Sequence, residues 1–130
     1  MADKAKTLLN VMALGAHPDF TSLYRQHGFE IINAKTLRKA LALIKQVAPD
    51  VIVAEFVYAP TYGSQLSNFE SLFAAAQNFA PHAHFIALLH HNDLVHLEKV
   101  KGPGQTCSTL FFPVSLADMD DSLTTIDKVK

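Results

Sequence analysis

At 130 residues, 49% of them hydrophobic and 18% charged, the chain is long enough to bury one core and too apolar to stay disordered. A formal net charge of −1 offers no field to hold nucleic acid or an anionic membrane. The single Cys107 excludes an internal disulfide and a cysteine-based zinc knuckle. No apolar run approaches the roughly 18 residues of a membrane span and no signal-peptide pattern follows Met1, so a single cytoplasmic domain over residues 1–130 is expected.

In chain order, Leu8 to Leu14 is a short apolar run stopped by Gly15, which predicts a first strand. Pro18 and Asp19 suit the first turn of a helix whose Phe20, Leu23, Tyr24 and His27 share a face, and Gly28 ends it. Phe29 to Ala34 predicts a second strand. Thr36 then caps a helix in which Leu37, Ala40, Leu41, Ile44, Val47 and Ala48 follow helical spacing, with Lys35, Arg38, Lys39 and Lys45 on or near its wet face. After Pro49-Asp50, Val51 to Tyr58 has the continuous apolar character of a strand covered on both sides, and it carries one acidic residue, Glu55.

A loop from Ala59 to Asn68 follows, and Phe69, Leu72, Phe73, Ala76 and Ala80 predict a third helix that stops at Pro81. His84 to Leu89 predicts the fourth strand. Asp93 opens a short helix carrying Leu94, Leu97 and Val100, which Gly102-Pro103-Gly104 ends. Leu110-Phe111-Phe112 predicts the fifth strand. Ser115 to Asp118 is a capping-box pattern that opens a last helix with Leu116, Met119, Leu123 and Ile126 on one side and begins with Asp118, Asp120 and Asp121. Strands alternating with helices at this spacing predict a doubly wound α/β fold. It is a three-layer (βα)5 sandwich around a five-stranded parallel sheet in the flavodoxin-like order 2-1-3-4-5.

Val11-Met12-Ala13-Leu14, Pro18, Gly28-Phe29-Glu30, the Ala40-Leu41 helix, Pro49-Asp50-Val51-Ile52-Val53, Gly63 and Phe112-Pro113 follow one another as in the receiver domains of bacterial response regulators, which the chain resembles over nearly its whole length. In active members of that family an acidic pair after the first strand binds magnesium, and an Asp ending the third strand takes a phosphoryl group. A Ser or Thr ends the fourth strand, and a Lys precedes the Pro after the fifth. The corresponding positions here are Gly15 and Ala16, Glu55, His90 and Phe112. Magnesium needs several hard oxygen ligands and phosphoryl transfer needs metal and cation stabilisation. The resemblance therefore implies a pseudo-receiver that is not phosphorylated, is not an enzyme and needs no cofactor or metal. Glu55 imitates a phosphorylated state poorly, because a carboxylate has one charge against about −1.5 to −2 for a phosphate.

Two further patterns concern the same edge of the sheet. Ala16-His17-Pro18-Asp19 is similar to the start of the Ala-His-Pro-Asp-Asp motif of zinc-dependent N-acetylglucosamine deacetylases, but Phe20 stands where the second Asp, a zinc ligand, belongs. His17, Glu55 and His90, with Tyr62 from the long loop, are the candidate ligands of a small-molecule or metal-sensing cleft, the alternative function. His90 and His91 point opposite ways in extended chain and cannot both serve it. The resemblance also implies signalling by contact with a protein partner or a second copy through helix four, strand five and helix five. The residues proposed for that surface are Val95, Phe111, Phe112 and Val114.

Overall fold

The computed structural model describes residues 6–12, 19–56, 67–101 and 106–129, with side chains to Ile126. Five strands, β1 (Lys6–Val11), β2 (Phe29–Ala34), β3 (Val51–Glu55), β4 (His84–Leu89) and β5 (Cys107–Phe111), form one parallel sheet in the order β2-β1-β3-β4-β5. The expected topology is thus observed. β3 lies at the centre, and all five of its residues are buried.

Five α-helices are seen among the described residues: α1 (Thr21–Gln26), α2 (Leu37–Val47), α3 (Phe69–Phe79), α4 (Leu94–Val100) and α5 (Leu116–Val129). They divide between the two faces by side-chain alternation along the strands. Leu9, Val11, Ile52, Ala54, Phe85, Ala87 and Leu89 pack with α2, α3 and α4. Leu8, Val51, Val53, Ile86 and Leu88 pack with α1 and α5.

Local chemistry fixes the ends of these elements. The Lys39 backbone N–H donates to Thr36 Oγ1 at 3.1 Å, the cap read from the sequence. α2 ends on Ala48 at φ 51°, a left-handed cap whose N–H donates to the Ile44 carbonyl at 3.0 Å, and Pro49 follows it. α1 starts at Thr21, whose N–H donates to Asp19 Oδ1 at 3.0 Å, and it closes on Gly28 at φ +87°, a conformation that suits glycine. The Asp118 N–H donates to Ser115 Oγ at 3.1 Å, which caps α5 as expected.

Several boundaries differ from the sequence reading. β1 starts at Lys6, and Val57 and Tyr58 beyond β3 lie outside the described residues, as do Ala13, Leu14 and Pro18. A 3-10 turn over His91–Asp93 precedes α4. β5 begins at Cys107, three residues before the expected apolar run, because an edge strand is half-exposed and tolerates polar Cys107, Ser108 and Thr109. Leu116, expected on one side of the helix with Met119, Leu123 and Ile126, is 61% exposed: it lies in the first turn of α5, ahead of those three buried residues.

Pro49-Asp50 has a structural role at the amino edge of the sheet. The Thr7 N–H donates to Asp50 Oδ2 at 2.8 Å, the Asp50 N–H donates to the Thr7 carbonyl at 2.8 Å, and the His84 N–H donates to the Asp50 carbonyl at 2.9 Å. One residue thus links the starts of β1, β3 and β4.

Candidate functional site

At the carboxyl edge of the sheet, β3 delivers Glu55 opposite Leu88 of β4. Alternation from Val51 and Val53 sends the Glu55 side chain to the α1/α5 face, and it has no exposed surface. The ladder continues past it, since the Phe56 N–H donates to the Leu88 carbonyl at 2.8 Å. Asn68 Nδ2 donates to the Glu55 carbonyl at 2.8 Å, which ties the start of α3 to the end of β3. Glu55 therefore belongs to the interior.

The ends of β4 and β5 meet beside it. Their last residues point alternately to the two faces, and each phenylalanine receives an imidazole. His91 stacks on Phe111 with ring centroids 3.9 Å apart and an interplanar angle of 13°, and Phe111 packs toward the α2/α3/α4 side. His90 tilts against Phe112 at 5.0 Å, and Phe112 packs toward the α1/α5 side. Both histidines are exposed, and both phenylalanines are half-buried. At the ends of β4 and β5 each contact is thus an imidazole against an apolar ring.

The other expected site residues divide as follows. Gly15, Ala16, His17 and Tyr62 lie outside the described residues. Among the described residues no group of three His, Cys, Asp or Glu side chains is placed to hold a metal ion. Val95 is 55% exposed on α4. Val114 is not available: it is buried in the core with Met119 and Leu123, because the chain turns inward between Pro113 and the start of α5. The exposed apolar residue there is Leu116, which its helical spacing with Met119 and Leu123 concealed.

Burial governs the electrostatics of the remaining titratable groups. The Tyr24 hydroxyl is fully buried without a hydrogen-bond partner, and burial, helped by the negative charge of Asp19, pushes its pKa far up, so it stays neutral. Burial also raises Cys107 to about 11, against the opposing pull of Lys101, which leaves an unreactive thiol. His84 is lowered by burial, and its Nε2 lies 2.8 Å from Ser108 Oγ across the β4–β5 pair. No helix among the described residues is long and apolar enough to cross a membrane.

This architecture is shared with solved receiver domains. The chemotaxis protein CheY4 of Vibrio cholerae aligns with a TM-score of 0.70 at 18% identity, over 95% of this chain and 99% of that one. A response regulator receiver domain protein from Clostridium thermocellum gives 0.70 at 20% identity over 97% and 96% of the two chains. The receiver domain of NtrC4 from Aquifex aeolicus gives 0.67 at 22% identity over 95% and 94%. At these identities the likeness establishes a receiver-like fold. No protein-family model and no curated protein matches the chain.

Proposed function

We propose that this chain is a pseudo-receiver, a bacterial signalling module that works by protein contact and takes no phosphoryl group. The observation that carries the reading is the enclosure of Glu55: a carboxylate with no exposed surface cannot be reached by a phosphoryl donor without opening the domain. The neighbouring chemistry agrees, because Phe112 offers no cation to the charge that develops on a transferring phosphoryl group, and its companion is the His90 ring. The receiver-like fold supports a role in signal transduction.

The contact surface in this reading is the outer side of α4 with the end of β5. Val95 supplies an exposed apolar side chain, and the His91–Phe111 stack supplies a flat, half-buried platform. Affinity capture from the native cell, read by mass spectrometry, tests it with Phe111→Glu and with Val95→Glu, the latter at an exposed position that does not support the core. One specific partner held by the unmodified protein and lost from both variants is the expected result. Equal capture by all three proteins would overturn the surface assignment.

A further inference from the structure

The exposed side of α2 is a stripe of positive charge that the reading above leaves unused. Lys35, Arg38, Lys39 and Lys45 are all exposed and recur at helical spacing, together with exposed Ala42 and Gln46. No acidic residue occurs between Glu30 and Asp50, and no carboxylate among the described residues pairs with any of the four. At the carboxyl end of α2 the stripe runs into an apolar notch of about 170 Å³ lined by Ala48, Pro49, Phe79, Pro81 and His82. Phe79 is 44% exposed, and Lys45 Nζ lies 5.6 Å from its ring centroid, so cation and notch are continuous. The notch is also lined by Asp50, whose Oδ2 accepts from the Thr7 N–H.

The complement of this surface is on the same chain. α5 opens with Leu116, 61% exposed, followed by exposed Asp118, Asp120 and Asp121, and no Lys, Arg or His occurs between Lys101 and Lys128. Leu116 and Asp120 are one turn apart on the helix, and Asp121 lies on the adjoining flank, about 100° round from Asp120. Asp120 stays 51% exposed while its Oδ1 meets His27 Nε2 at 2.7 Å.

We infer that a second copy of this chain docks the start of its α5 on the α2 stripe, with Leu116 in the notch and Asp120 and Asp121 toward Lys45, Lys39 and Arg38. The helices then run antiparallel, with the first turns of α5 at the carboxyl end of α2, where Lys45 supplies the cation that the acidic side chains meet. The surfaces on the two copies differ, so the contact is heterologous and adds copies head to tail. A concave notch receives a side chain and does not insert into a bilayer. Four cations on a chain of net charge −1 are few for a nucleic-acid backbone.

Sedimentation equilibrium tests this with two variants altered only at exposed positions and checked for folding by circular dichroism. One carries Arg38→Glu and Lys39→Glu, the other Leu116→Ser and Asp121→Asn. The unmodified chain is expected to gain mass with concentration at an ionic strength of about 0.01 M and to return to the monomer at about 1 M, where the Debye length falls from about 30 Å to about 3 Å. Each variant alone should weaken self-association by about tenfold or more. An equimolar mixture of the two should form a one-to-one complex that grows no further, because each supplies the half that the other lacks. Phe111→Glu should leave the association intact, which separates it from the α4–β5 contact. An unmodified chain that stays monomeric up to about 1 mM, full association in either variant alone, or a mixture that forms no complex overturns the inference.

Discussion

Truncating Phe69 to alanine is expected to destabilise the domain by about 3–5 kcal/mol, the largest effect of any single substitution considered. Its ring is fully buried and lies 5.4 Å from Phe56, 5.4 Å from Phe73 and 6.0 Å from Phe85 between centroids. Those rings come from the exit of β3, from α3 and from β4, so Phe69 joins one helix to two strands. Removing it leaves a cavity that three separately anchored aromatic rings can fill only in part, and each lost edge-to-face contact adds about 0.5–1.5 kcal/mol to the area term. Urea unfolding followed by circular dichroism measures the loss. A change below about 1 kcal/mol would show that the aromatic cluster repacks freely.

Asp50→Ala is expected to cost about 1–3 kcal/mol although Asp50 is itself exposed. Its carboxylate accepts the N–H of Thr7, a residue that is only 9% exposed, and alanine leaves that donor buried without an acceptor. Asp50→Asn keeps a side-chain carbonyl at the same place and should recover more than half of the loss. Comparing the two variants by thermal unfolding separates hydrogen bonding from any general effect of removing a surface charge. If Asn and Ala destabilise equally, the Thr7 bond is not the cause.

Asp50 also illustrates which parts of the chain could be read from sequence. Pro49-Asp50 was legible as a landmark of strand approach, but its reason, a side chain that pairs with the neighbouring strand, depends on β1 lying beside β3. α2, β2 and β4 announced themselves because their apolar residues keep a helical or continuous pattern and their ends carry Thr36, Gly28 and Pro81. The start of β5 did not, since Cys107-Ser108-Thr109 gains strand structure from pairing with β4 and not from apolar burial. Leu116 and Val114 exchanged roles for a related reason. Spacing along a helix assigns a face, but the first turn of α5 projects past the sheet while the residue before Ser115 turns under it.

The surroundings of the candidate site residues were not legible in the sequence. Residue types at Glu55, His90 and Phe112 follow from the landmarks on either side of them. That Glu55 is enclosed, and that His90 and His91 each lie against a different phenylalanine, follows from the alternation of two adjacent strand ends and needed the fold. The pairing also separates the two histidines: one belongs to the α1/α5 side and one to the α4 side of the sheet.

Under the proposed function the carboxyl edge of β3 takes no phosphoryl group. The most direct test is titration of the uniformly labelled protein with magnesium and beryllofluoride, watched through the backbone amide resonances of Glu55, Phe56, His90 and Phe112. The enclosed carboxylate and the Phe112–His90 pair predict no saturable shift at any of the four. A saturable shift centred on Glu55 that requires both magnesium and beryllofluoride would contradict the account.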